Sequence, residues 1–295
     1  MDVLVLGGGG GLGRLVCAEL AARGHRIQTV PRGEARDAAA LARAATRGGA
    51  IGADEPARGG IAIVNCAGAS VAMGLGHGWR GYRAVDTPIG LAAAAAARRT
   101  GARLVYVGVH HPPALARGAY VDAHERVAAA MRDLDGVVVR ATGFFSAYAA
   151  LLPLARRGLL ADIGDGRART NPIDERDLAA IVADAALGGG PREVAAGGPE
   201  VMTRGRIFEL VAERAGRRVR MVRVPAWLGG AAGAALRVVH PRMGQFTRFA
   251  AGLARHDAIA PALGTRTLAS YLATLASEVA SSPSRERRAS SSSAR

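Results

Sequence analysis

The chain contains no lysine: all 39 of its strong bases are arginine, against 24 acidic residues, giving a formal charge of +15 over 295 residues. Selection for a phosphate-binding surface would tolerate both basic residue types, whereas a coding bias toward arginine and alanine produces this pattern without any function. The excess charge therefore carries little weight for nucleic acid, and aromatics at 4% leave no stacking surface for single strands. Only two cysteines, Cys17 and Cys66, are present, both in apolar context, which excludes a disulfide framework and a cysteine-based zinc site and fits a reducing cytoplasm. Long apolar runs are also missing. The alanine-rich stretches 91–97 and 229–235 fall well short of a membrane span, and Met1-Asp2 leads into a short apolar strand instead of a secretory signal.

What is abundant is glycine, 40 residues of it, set within a composition that is 49% hydrophobic and able to bury a substantial core. Val3 to Leu6 is a continuous apolar run suited to a central parallel strand. Glycines fill positions 7 to 11, a helix is expected over about 12–22, and Gly24 ends it. Further strands are expected at 26–30, 61–66, 103–107 and 137–140. Helical patterns separate them at 36–47, 120–134 and from a cap at Asp86-Thr87-Pro88 to about Arg99. Strands alternating with helices make βαβ repetition and a mostly parallel sheet. Later helices are expected at 177–186, 203–215, 225–239 and 267–280, with a short strand at 219–224. From Ser281 the serine and arginine composition cannot pack a core, and 281–295 reads as a disordered tail.

The glycine run carries the first chemistry. Gly7, Gly10 and Gly13 fit GxxGxxG, and Gly8, Gly10 and Gly13 fit GxGxxG, so the register stays open. Either spacing at the first strand-to-helix junction keeps side chains away from a dinucleotide pyrophosphate and presents the N–H groups of Gly11, Leu12 and Gly13 to its oxygens. No acid ends the second strand, where an NAD site uses one on the ribose 2′-hydroxyl. Thr29-Val30-Pro31-Arg32 stands there instead. Arg32, with Arg14 from the first helical turn, can grip a 2′-phosphate, which favours NADP. The plainer alternative is that both are solvated arginines in an arginine-rich chain.

An ordered series of segments resembles the atypical short-chain dehydrogenase/reductases, with the NmrA-like NAD(P)H-binding group nearest in flavour. The series is the glycine turn with Arg14, Val64-Asn65-Cys66-Ala67-Gly68, Leu104 to Val107, Tyr120 on its helix, Arg140 to Phe145, Asn171 to Ala179, and Ala260 to Leu268. It covers residues 1 to about 280. The resemblance implies an α/β fold: a Rossmann-type, doubly wound parallel sheet in one domain, with a small, mainly helical substrate-side lobe formed mostly by 144–175 and 199–265. It also implies that Ala67, Gly68 and Val107 lie along the cofactor, that Gly143 and Phe144 flank its nicotinamide, and that Asp54 approaches the adenine.

Reductases of this superfamily pair a tyrosine with a lysine one helical turn later, where the lysine binds ribose and lowers the tyrosine pKa. Here the pair is Tyr120 and His124, and Gly108 stands where a helper serine is common. A protonated His124 would favour a tyrosinate, although its unperturbed pKa lies near 6.5. His110 and His111, after the 103–107 strand, supply a substitute acid or base, and no third residue has a claim to make them a metal site. Two readings follow. One is an NADP-dependent oxidoreductase acting on a small apolar carbonyl or enone, its cleft lined by Phe144, Phe145 and Tyr148. The other is a non-catalytic NADP-binding sensor or assembly protein that answers to a protein partner. The small-residue face of 225–239 offers either internal packing or a subunit contact.

Overall fold

The computed structural model describes residues 1–47, 60–69 and 78–281. In chain order it contains β1 (Asp2–Leu6), α1 (Gly11–Ala22), β2 (Arg26–Thr29), α2 (Ala38–Arg47), β3 (Ile61–Asn65), α3 (Tyr82–Thr100), β4 (Arg103–Val109), α4 (Ala119–Ala130) and β5 (Gly136–Ala141). The second half adds α5 (Phe145–Ala149), α6 (Leu152–Arg156), β6 (Leu159–Ile163), β7 (Arg169–Thr170), α7 (Glu175–Leu187), β8 (Glu193–Ala196), β9 (Met202–Thr203) and α8 (Arg204–Glu213). It ends with β10 (Arg220–Val224), α9 (Ala226–Val239), α10 (Pro241–Leu253) and α11 (Leu268–Ser281).

Six strands form one parallel sheet in the order β2-β1-β3-β4-β5-β8. Successive strand residues face opposite sides, and both sides of the central strands are covered, so β1, β3, β4 and β5 are largely apolar, while the edge strands β2 and β8 carry polar, exposed residues. Leu4, Leu6, Ile63, Leu104 and Tyr106 pack with the alanines of α3 on one face. Val3, Val5, Val64, Val105 and Val139 pack with Val16 and Leu20 of α1 and Leu178 and Val182 of α7 on the other. The expected doubly wound Rossmann-type sheet is therefore present. A third apolar cluster, built from Phe145, Leu152, Leu160, Ile207, Phe208 and Leu272, forms the core of the second half. There β6 pairs with β10 and β7 with β9 in two short ribbons.

Several boundaries differ from the sequence reading for identifiable reasons. Helix α3 begins at Tyr82 behind the N-cap Gly81, so Asp86 and Thr87 are not its cap and Pro88 lies inside it. Proline lacks the N–H that would bond to the carbonyl four residues back. Arg36 compensates, its Nη2 donating to that Ala84 carbonyl at 3.3 Å. Helix α10 has no counterpart in the sequence reading. It packs against α9 through glycine: a Cβ on Gly244 would stand 2.4 Å from Arg237 N, and one on Gly233 would stand 2.9 Å from Arg248 N.

The segment from Asn171 to Asp177 ties the second half to the sheet. Asn171, fully buried, donates through Nδ2 to the carbonyls of Gly198 and Ala260 and accepts from Ala260 N. Asp174 caps α7 by accepting from Arg176 N, and Asp177 Oδ2 accepts from Thr265 N and Arg266 N, each at 2.8 Å. The C-terminal helix ends at Ser281, and the remainder of the expected tail lies outside the described residues, as does Asp54.

Candidate functional site: a glycine cradle and an aromatic cluster

Strand β1 has β2 on one side and β3 on the other, so the chain order reverses there, and the carboxyl ends of β1 and β3 open a crevice of the kind where α/β sheets take ligands. The glycine run fills that point. Gly7 has φ +79°, and a Cβ on it would stand 2.7 Å from Ala67 Cα. A Cβ on Gly8 would fall 2.4 Å from Thr29 Cγ2, and one on Gly13 2.0 Å from Gly7 O. Gly9 and Gly11 face open space. Gly10 caps α1, with its N–H donating to Gly7 O at 2.8 Å. Gly7, Gly8 and Gly13 are each held close by packing, so the turn satisfies both spacings at once, and a Cβ on Gly10 would stand 3.1 Å from Gly7 O.

The first helical hydrogen bond runs from Arg14 N to Gly10 O, and the N–H groups of Gly11, Leu12 and Gly13 make no backbone hydrogen bond among the described residues. They stand at the positive end of α1, a ready anion site. Arg14 is exposed and donates through Nη1 to Gly9 O at 2.6 Å, while Arg32 is exposed in the turn after β2. Across the crevice, Asn65 Oδ1 accepts from Ala67 N at 3.0 Å and its Nδ2 is buried without a partner. Ala69 N donates to Oδ1 of Asp86, a carboxyl only 3% exposed beneath Gly68. Burial raises the Asp86 pKa to about 7, against smaller lowering effects from the Ala69 N–H and from Arg242 and Arg36.

Beside this crevice Tyr120 and His124, one turn apart on α4, meet edge-to-face with ring centroids 5.0 Å apart. Tyr82 of α3 lies 4.5 Å from the Tyr120 ring, and Phe249 and Phe246 of α10 lie at 4.7 and 6.0 Å. Burial, reinforced by the Asp86 charge, raises the Tyr120 pKa, so its phenol stays protonated at neutral pH. The His124 Nδ1 is 2.7 Å from the hydroxyl of Tyr106 on β4. Burial depresses the His124 pKa to about 4, with Arg140 and His111 adding to the effect and Glu125 opposing it. The imidazole is therefore neutral near pH 7 and lacks the charge by which a protonated His124 would favour a tyrosinate. Nothing in the sequence marked Tyr106 as its partner. Only the register of β4 against α4 brings them together.

His110 makes no ring contact with Tyr120 or His124. It lies against the Ile259 backbone, and burial lowers its pKa. His111 instead joins an ionic chain: its Nε2 lies 3.2 Å from Glu125 Oε1, Glu125 pairs with Arg140, and Arg140 Nε donates to Glu193 at 2.6 Å. Among the described residues no cluster of three His, Cys, Asp or Glu could hold a metal, and no helix is long and apolar enough to cross a membrane. A separate hollow of about 260 Å³ involves Glu125, Arg132, Arg140, Arg192 and Glu193. It runs along β5 from Gly136 to Arg140 between α4 and β8, away from the glycine cradle at the end of β1.

No protein-family model and no curated protein sequence matches the chain. Solved structures do. The human epimerase family protein SDR39U1 with NADPH superposes with a TM-score of 0.67 at 22% identity, covering 94% of this chain and 99% of that one. The NADPH-dependent quinone oxidoreductase QOR2 of Escherichia coli with NADPH gives 0.61 at 17% identity over 92% and 99%. The dTDP-4-dehydrorhamnose reductase of Bacillus anthracis with NADP gives 0.61 at 13% identity over 84% and 97%. At these identities the likeness is one of fold, the Rossmann-type α/β fold that these NADP- and NADPH-bound structures share with this chain.

Within that fold, the expected residues fall into two groups. Gly7, Gly10, Gly11, Leu12, Gly13, Arg14, Ala67 and Gly68 converge on the crevice between β1 and β3. Val107 lies in β4, paired with Val139, and Gly143 and Phe144 follow β5. A Cβ on Gly143 would stand 3.0 Å from the Tyr148 hydroxyl, so Tyr148 flanks that turn. Phe145 does not. It is 1% exposed and packs 5.5 Å from Tyr271, because its position as the first residue of α5 turns it into the second-half core. Gly108 lies in β4 two residues beyond Tyr106. A Cβ there would meet Val138 Cγ1 at 3.4 Å, an ordinary contact, so sterics do not forbid the missing serine.

Proposed function

We propose that this chain binds NADP(H) in the crevice between β1 and β3 and uses it to reduce a carbonyl or enone of a small apolar organic substrate, as a cytoplasmic protein of NmrA-like character. The observation that carries the binding reading is the glycine cradle: positions where a Cβ would strike backbone, opening on helix N–H groups that have no backbone partner. The residues fit the dinucleotide. Gly11, Leu12 and Gly13 would hold the pyrophosphate, Arg14 and Arg32 the 2′-phosphate, and Ala67, Gly68, Val107, Gly143 and Phe144 the ribose and nicotinamide. Bound there, the cofactor supplies hydride.

The protein's own part is protonic and steric. Tyr120 keeps its proton and would give it to a reacting oxygen, and contacts from Tyr82, Phe249 and His124 hold its ring. Neutral His124 is held at Nδ1 by Tyr106, so it orients the tyrosine without charging it. Phe246 and Phe249 exclude water from one side. This is a weak acid without the usual cationic helper, and slow turnover is the expected outcome.

Calorimetric titration with NADPH, NADP, NADH and NAD, followed by loss of NADPH absorbance with a carbonyl and enone panel, tests both parts. Binding of the phosphorylated pair is expected to be tighter, and Arg32→Glu is expected to weaken NADPH by about tenfold to a hundredfold while sparing NADH, the worth of one to two charge-assisted hydrogen bonds. Tyr120→Phe is expected to abolish turnover with binding intact. Failure to bind any nucleotide would overturn the reading. The absence of serine at 108 and the neutral His124 support a second reading, a non-catalytic NADP(H) sensor that answers to a protein partner, marked by tight binding with no turnover across the panel.

A further inference from the structure

The second half contains a stretch with no acidic residue. Between Arg214 and His256 the chain carries nine arginines and not one aspartate or glutamate, although acids make up 24 of its 295 residues. Strand β10 and helices α9 and α10 lie within it.

The same stretch exposes apolar surface. Trp227 is 71% exposed, Val238 84% and Val239 74%, with Leu228, Met221 and Val222 also open. The buried side of α9 is its glycine side: Gly229 packs on Ile163 and Ala251, and Gly233 on α10. Small residues thus let α9 lie close against the molecule and turn its large side chains outward. The helix carries one charge, Arg237. Arg218, Arg220, Arg223 and Arg237 make no ion pair among the described residues. Asp162, which β6 sets opposite Arg223, is buried beneath this face and interacts electrostatically with Arg223, and no acid lies beside Arg218, Arg220 or Arg237 within the stretch itself.

We infer that the α9 face, Trp227, Leu228, Val238 and Val239 with the flanking arginines of β10, docks on an anionic lipid surface. An apolar helix face bounded by arginine, with an exposed tryptophan, suits the boundary between acyl chains and anionic headgroups. Each base near such a surface adds roughly 1 kcal/mol of attraction that salt screens. A second copy fits poorly, because a two-fold contact would set one run of unpaired arginines against another. The docked helix is backed by α10, whose Phe246 and Phe249 touch Tyr120, so the candidate site lies one helix behind the lipid.

Co-sedimentation of the full chain with phosphatidylcholine vesicles, with and without one-third phosphatidylglycerol, tests this at low and high salt. Capture is expected on the anionic vesicles and is expected to fall as salt rises. A Trp227→Ala, Val238→Glu, Val239→Glu variant is expected to lose roughly tenfold or more of that binding, with NADPH affinity and thermal midpoint unchanged. An Arg220→Gln, Arg223→Gln variant, which leaves the apolar face whole, is expected to weaken capture and flatten its salt dependence. No capture by the parent, equal capture of the apolar-face variant, or equal capture by neutral vesicles overturns the inference. So does light scattering that shows a dimer which the apolar-face variant dissociates, since the occupant would then be a second copy.

Discussion

At the scale of single residues, two buried groups on neighbouring helices titrate the wrong way for their type, and their effects on stability oppose each other. His124 has its pKa lowered from 6.5 to about 4, so between those values the unfolded chain binds a proton that the folded chain refuses, and the fold gains stability as pH rises. Asp86 is raised from 3.8 to about 7, so over its window the folded chain holds a proton that the unfolded chain has lost, and the fold loses stability as pH rises. The windows overlap between pH 4 and 6.5. In urea melts across that range, Asp86→Asn is expected to make stability climb with pH relative to the parent, and His124→Gln to make it decline. Each effect is on the order of 3 kcal/mol over the full window. Parallel curves for parent and variants would refute the assignment. None of this was legible in the sequence, where Asp86 reads as a helix cap. Its carboxyl is buried because α3 starts a turn earlier and because Pro88, with its freed carbonyl taken by Arg36, is tolerated inside the helix.

At the scale of elements, the glycine turn separates residues required by packing from residues that merely happen to be glycine. Gly13→Ala forces a Cβ to 2.0 Å from Gly7 O, and we expect it to cost about 1–3 kcal/mol and abolish nucleotide binding. Gly11→Ala meets nothing within 4 Å and is expected to leave thermal stability unchanged. The location of this turn could be read from a strand, a glycine run and a helix in succession. Which of its five consecutive glycines are packed could not, because that depends on the approach of Ala67 to Gly7 and of Thr29 to Gly8. The α9–α10 hairpin was harder to see. Helix α9 shows as a small-residue stretch, but α10 is specified by where Gly233 and Gly244 let two backbones touch, and by the aromatic surface around Tyr120 that it covers.

At the scale of the whole molecule, Asn171 is where the two halves meet. Its side chain joins the carbonyls of Gly198 and Ala260 and the N–H of Ala260. Replacing it with alanine leaves several buried backbone groups unpaired, and each costs about 1–3 kcal/mol. We expect Asn171→Ala to lower the denaturation midpoint sharply, and hydrogen exchange is expected to show the 258–266 segment deprotected first. Uniform deprotection would mean that the residue does not act as a local tie. The proposed glycine cradle, at the carboxyl ends of β1 and β3, lies on the sheet side of this tie, so the weakened variant is expected to retain part of its nucleotide affinity.

The sequence by itself determined the alternation of strands and helices, the parallel sheet, the strand-to-helix glycine turn and the absence of the tyrosine's usual lysine partner. Those features are local: a period of two or 3.6 residues, a glycine run, a residue type at a fixed offset. Only the tertiary structure decided which glycines are packed, that Tyr106 holds His124, that Phe145 faces a core and not the cleft, and that α9 turns its large side chains outward. Each of those depends on residues far apart in the chain, placed by strand register and helix packing, and no spacing along the sequence encodes it.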